Sequence, residues 1–78
     1  MTYPKTRGTL SALKIRLNGD AVEVQGPLTV AQLLTTFEID ARLVAVEHNL
    51  VILKRKAYES TLVDDGDQVE VVNAVAGG

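Results

Sequence analysis

The chain has no cysteine and no tryptophan, one histidine and only three aromatic side chains, Tyr3, Phe37 and Tyr58. Without cysteine there is no disulfide and no thiolate metal site, which agrees with a reducing, cytoplasmic setting. A basic excess is missing too: eight Lys and Arg against ten Asp and Glu give a net charge of −2. Without residues 1–12, which hold Lys5 and Arg7, six basic side chains face ten acidic ones. A nucleic-acid binder usually shows the opposite balance. No apolar run approaches the roughly 18 residues that span a bilayer. The start, MTYPKTRGTLSA, lacks the apolar middle of a signal peptide, so a soluble protein is expected. Phosphate-binding glycine loops are absent, and no serine stands beside a plausible base. An independent active site is therefore not expected.

What is present is consistent patterning in one small domain of 78 residues, 46% of them apolar. Residues 1–12 are polar and aperiodic, and are read as a flexible N-terminal arm. From Leu13 the alternation of Leu13, Ile15 and Leu17 predicts a half-buried strand. Asn18–Gly19 and a second alternating run with Val22 and Val24 predict a hairpin closed by a type I′ turn. Gly26–Pro27 ends it. Thr29 and Gln32 have the spacing of a capping box, and Val30, Leu33, Leu34 and Phe37 form one helical stripe, with Phe37 expected in the core. LVAVEHN (43–49) reads as a third strand with a turn near His48–Asn49, and LVIL (50–53) as a short fourth. KRKAYES (54–60) is expected to be a loop or one helical turn. DDGD (64–67) is a turn, and QVEVVN (68–73) the last strand, with Val69 and Val71 facing inward. The order is ββαββ with one further short element. It predicts an α+β, ubiquitin-like β-grasp: a mixed sheet with one main helix across one face, over residues 13–73. Residues 74–78 are expected to form a mobile C-terminal tail.

Of the candidate chemical groups, most have a plain structural reading. His48 is expected to be a solvated turn residue, since a lone histidine makes a poor metal site and Glu47 beside it points to the other face of a strand. Asp64, Asp65, Asp67 and Glu70 lack the spacing of a calcium loop, so an acidic turn is expected, with its charge lying as a rim beside the tail. Lys54, Arg55 and Lys56 are too few to argue for nucleic acid. No metal site is expected. That leaves the end, NAVAGG. Two terminal glycines are either a frayed end or a slim approach to a reactive carboxylate, because backbone without a Cβ can come close to a nucleotide in a partner's channel.

The combination resembles the thiamin-biosynthesis sulfur carrier family (ThiS) of ubiquitin-like sulfur carriers, over about residues 13–78. The family pattern, V-A-V-x-x-N, a short I-V-P-R run, a D/E-G-D turn and a terminal Gly-Gly, is met by Val44, Ala45, Val46, Asn49, Gly66, Asp67, Gly77 and Gly78. Lys54 stands where the family commonly has proline. The resemblance implies that Gly78 is the site of acyl-adenylate and thiocarboxylate formation. Gly77, Ala76 and Val75 would give clearance and the approach to partners. It implies a ubiquitin-activating-like adenylating enzyme that uses ATP, a sulfur donor such as a cysteine desulfurase, and thiazole synthase as acceptor. No cofactor would be bound permanently, and all catalytic residues would belong to the partners. The apolar and acidic surface near the last strand would be the docking face. The small subunit of molybdopterin synthase shares this chemistry but often carries prolines and an aromatic before its end, and VVNAVAGG has neither. A sulfur carrier of another pathway, a ubiquitin-like modifier and a plain interaction module are the remaining readings.

Overall fold

The computed structural model describes residues 11–74. The expected arm up to residue 10 and the tail residues 75–78 lie outside the described residues. Seven strands and one α-helix follow one another as β1 (Ser11–Leu17), β2 (Asp20–Gly26), β3 (Leu28–Thr29), α1 (Val30–Thr36), β4 (Val44–His48), β5 (Val51–Leu53), β6 (Leu62–Val63) and β7 (Gln68–Asn73). Short 3₁₀ turns at Ala41–Leu43 and Arg55–Ala57 precede β4 and follow β5. The main sheet has the order β2-β1-β7-β4-β5, with β1 and β7 parallel at its centre and the other pairs antiparallel. A single helix against one face of such a sheet is the expected β-grasp.

The first strand starts at Ser11, with Ser11 opposite Gly26 and Ala12 opposite Gln25. The expected arm therefore overlaps the sheet by two residues. Both are exposed, so they add backbone pairing without any apolar signal of period two. A second, two-stranded sheet of β3 and β6 was not legible in the pattern. Two-residue strands are too short to show a period.

The helix starts as its sequence predicts. Thr29 Oγ1 accepts from the Gln32 N–H at 3.1 Å, and the Gln32 side chain accepts from the Thr29 N–H at 2.8 Å, so both halves of the capping box are made. It ends one residue short of Phe37, which is the C-cap. Glu38 then takes a left-handed φ of 60°, its N–H reaches the Thr35 carbonyl, and the Ile39 N–H reaches that of Leu34. These two bonds are a Schellman closure, which satisfies carbonyls left open by the last turn. The early stop turns Phe37 out of the stripe. It is 38% exposed and not part of the core.

Val30, Leu33 and Leu34 bury completely or nearly so against Ile15, Val24, Val46, Val69 and Val71 from the sheet. Leu28, Val63 and Tyr58 close the same core. Tyr58 sits in a segment too polar to announce a core residue, and its hydroxyl donates to the Val44 carbonyl at 3.3 Å. Each fully buried aliphatic side chain contributes about 1.5–3 kcal/mol relative to exposure.

Candidate functional site at the exit of the last strand

The tail emerges from β7, so whatever holds β7 sets where the tail begins. Val69 and Val71 point into the core as predicted, at 1% and 9% exposure. β7 is central, paired on one side with β1 and on the other with β4. The two hairpin turns beside it both begin with asparagine, and each uses its side chain on the β7 backbone. Asn18 Oδ1 accepts from the Val71 N–H at 2.6 Å, and its Nδ2 donates to the Val71 carbonyl at 3.1 Å. Asn49 Oδ1 accepts from the Gln68 N–H at 2.9 Å. In the sequence Asn18 and Asn49 read only as turn residues, because asparagine tolerates positive φ. Their second role, as side-chain rungs of the ladder, needs β7 between them.

At its far end β7 is paired through Asn73 with Val44, and the Ala74 N–H donates to the Leu43 carbonyl at 2.9 Å. Leu43 belongs to a 3₁₀ turn capped by Asp40, whose Oδ1 accepts from the Arg42 N–H at 2.9 Å. The Arg42 side chain returns two more hydrogen bonds to the same carboxylate. Those bonds, first the side-chain one, hold the Asp40 pKa down to about 2. The exit is thus a fixed rim, and the next residues, Val75, Ala76, Gly77 and Gly78, lie outside the described residues.

The acidic turn lies elsewhere than expected. DDGD precedes β7, so it sits at the end of that six-residue strand opposite Ala74, with Asp67 about 23 Å from Ala74 at 3.3–3.4 Å per residue. It is no rim beside the root of the tail at Ala74. Its job is local. Asp65 Oδ1 accepts from the Lys14 N–H at 2.7 Å, and Gly66, at a φ of 88°, donates to the Lys14 carbonyl. Asp67 accepts from the Asp64 N–H at 2.8 Å and from Asn49 Nδ2 at 3.1 Å.

His48 also departs from expectation. It is the last residue of β4, its side chain is 18% exposed, and its Nε2 lies 2.6 Å from Asp67 Oδ2. Glu47 does face away, as alternation requires, but the partner carboxylate arrives from 19 residues further on. A carboxylate only accepts, so the proton of this contact is on Nε2. Burial alone would raise the Asp67 pKa. Hydrogen bonds from Asp64, His48 and Asn49 outweigh it and hold the carboxyl below its ordinary value. The other hydrogen bonds to Asp67 come from the Asp64 N–H and the Asn49 amide, and the pair ties the β4–β5 turn to the start of β7. Among the described residues no three His, Cys, Asp or Glu converge to hold a metal ion. No helix among them is long and apolar enough to cross a membrane.

On the face away from α1, β4, β5 and β7 enclose a shallow pocket of about 170 Å³ lined by Ala45, Val46, Glu47, Ile52, Glu70 and Val72. It begins at the base of the tail and is both apolar and acidic. Glu47 and Glu70 are its charges.

Comparison with known proteins agrees with this architecture. The family model described as the ThiS family matches residues 15–78. The sulfur carrier protein ThiS of Bacillus subtilis is 31% identical over 65 residues, which cover 82% of this chain and 98% of that protein. A thiazole synthase of Paramagnetospirillum magneticum is 38% identical over 66 residues, or 85% of this chain. The chain spans only 20% of the length of that thiazole synthase. The crystal structure of a thiamine biosynthesis protein (ThiS) from Geobacter metallireducens superposes with a TM-score of 0.75 at 36% identity, covering 85% of this chain and all of that one.

Proposed function

The chain belongs to the ThiS family of sulfur carriers in thiamine biosynthesis, and from that premise we propose that the carboxylate of Gly78 is the group that carries the sulfur. The observation that supports this most is the extent of the family match, which runs through Gly77 and Gly78. A carboxylate is ionised at neutral pH and is a poor acyl donor. In the proposed cycle one of its oxygens attacks the α-phosphate of ATP on an adenylating enzyme of the ubiquitin-activating kind, and pyrophosphate leaves. A persulfide sulfur supplied by a donor such as a cysteine desulfurase then displaces AMP at the acyl carbon, and a thiol attacks the resulting acyl disulfide, leaving as a disulfide with the donor's cysteine. The result is a thiocarboxylate, and thiazole synthase takes its sulfur for the thiazole ring. The likeness of this chain to part of a longer thiazole synthase supports that acceptor.

The chain's own share is positional. Adenylation requires the carboxylate to reach a nucleotide inside another protein, held in line with the phosphate. The clamps on β7 supply a rigid base, and Gly77 and Gly78 bring no Cβ to the approach. Val75 and Ala76 form the stem between the two. The cycle takes place in the cytoplasm, with catalytic residues and ATP held by the partners.

The test is an intact-mass measurement after incubation with ATP, a cognate adenylating enzyme and a sulfur source. The expected shift corresponds to one oxygen replaced by sulfur, and deletion of Gly78 abolishes it. A Gly78 deletion that still supports growth of a thiamine-requiring strain would overturn the proposal.

A further inference from the structure

The open face of the sheet carries a charge arrangement that the packing of this chain does not explain. Because Val44, Val46, Val69 and Val71 are buried against α1, the alternate residues Ala45, Glu47, Glu70 and Val72 point the other way. The antiparallel register puts Glu47 directly opposite Glu70 and Ala45 directly opposite Val72. Like charges facing each other on neighbouring strands destabilise a sheet. Neither carboxylate has an ion-pair partner among the described residues, whose two such contacts are Arg42–Asp40 and His48–Asp67. The cations on the same sheet do not relieve them. Arg16 stands on β1 opposite Gln68, and its guanidinium donates to the Gly19 carbonyl at 3.0 Å. Around the two glutamates the wall is apolar and open, with Ile52 73% and Val72 57% exposed.

We propose that this pocket receives an arginine side chain of the adenylating enzyme, its guanidinium bridging Glu47 and Glu70 and its aliphatic stem lying on Ile52 and Val72. Directly opposed residues on antiparallel strands have Cβ atoms about 4.5–5.5 Å apart, so the two carboxylates can converge on one cation. A guanidinium presents five donors in a planar fork and serves two carboxylates at once, whereas an ammonium is a compact, strongly hydrated point charge. The apolar stem of arginine suits an apolar rim, and water excluded by that rim strengthens the contact. Position agrees with such a partner. Val72 lies two residues before Ala74, where β7 leaves the sheet, so a protein seated here also holds the root of the tail. The inference rests on the sulfur-carrier reading, because the enzyme that activates Gly78 must grip the carrier while the tail is in its nucleotide site.

The experiment uses the full chain and its cognate adenylating enzyme. The KM for the carrier in ATP–pyrophosphate exchange is measured for wild type, E47Q, E70Q and the double variant, at low and high salt, with thermal unfolding of each carrier alone. The double variant is expected to raise KM about tenfold or more with kcat retained, and to lose most of the salt dependence. Its Tm should equal or exceed that of wild type, because a repulsive pair has been removed. An unchanged KM beside normal wild-type exchange would overturn the arginine site and leave the carrier reading standing. A Tm that falls in step with the rise in KM would also overturn it, by making the glutamates structural. Wild-type carrier that supports no exchange would refute the carrier reading, and with it this inference.

Discussion

Two hairpins in this chain close through the same left-handed geometry, and only one of them has the residue that geometry prefers. Asn18 and Gly19 have φ values of 53° and 85°, and Asn49 and Leu50 have 51° and 70°. Both are two-residue loops, between Leu17 and Asp20 and between His48 and Val51. Left-handed backbone costs an L-residue roughly 1–2 kcal/mol, and Asn-Gly is the preferred pair for a type I′ turn. Leu50 bears that cost and recovers little by packing, since it is 80% exposed. Replacing it with glycine relieves the strain. Against this stand about 0.4–1 kcal/mol of added freedom in the unfolded chain and a few tenths for the buried fifth of the side chain. The expected net effect of Leu50→Gly is a gain of about 0.5 kcal/mol, which for a domain of this size raises Tm by about 2–4 °C. The reciprocal change has a clean reference. A Cβ at Gly19 meets nothing within 4 Å, so Gly19→Leu adds no clash at the Cβ and tests mainly the backbone term. It should lose about 0.5–1 kcal/mol by the same balance. Urea unfolding followed by far-UV circular dichroism measures both, and the double exchange should return close to wild type, the two turns holding different residues of β7. A Leu50→Gly variant less stable than wild type by 1 kcal/mol or more would refute the reasoning.

Three further outcomes are expected. Lys54 has φ −72° and ψ 146°, its N–H donates to no backbone carbonyl among the described residues, and Leu53 before it is extended. Lys54→Pro should therefore stabilise by about 0.4–1 kcal/mol, read from the urea midpoint. The Asp67 carboxyl has its pKa lowered in the folded chain, so its stabilisation is fully present above the unfolded value of about 3.9 and is lost as pH falls through the folded value. Unfolding midpoints from pH 5 downward should show that loss in wild type and a flatter profile in Asp67→Asn, itself less stable at pH 7 by about 1–3 kcal/mol because the amide nitrogen meets donors. Leu33 has no exposure, and Leu33→Ala should destabilise by about 2–5 kcal/mol in the same assay.

Elements whose signals are local were legible from the residues. The Asn18–Gly19 hairpin, the Thr29–Gln32 cap and the inward valines of β7 each depend on neighbours within a few positions, where side-chain period and turn chemistry act directly. Phe37 was misplaced because the stripe continues past a helix that stops, and the stop is made by Glu38 in a left-handed conformation that glutamate does not advertise. Tyr58 and the β3–β6 pair were missed because a buried residue in a polar segment and a two-residue strand show no period.

The sequence by itself determined the β-grasp architecture, the family pattern and the terminal glycines to which the proposed chemistry belongs, since these are carried by residue type and short-range spacing. Only the tertiary structure decided which distant residues meet. It brought Asp67 to His48, set Asn18 and Asn49 on the backbone of β7, and separated the acidic turn from Ala74 by the length of a strand. It also placed Glu47 against Glu70 beside Ile52. Cross-strand register is the physical reason. It couples positions 19 to 53 residues apart, and a shift of one residue along β4 or β7 would send Glu47 or Glu70 to the opposite face.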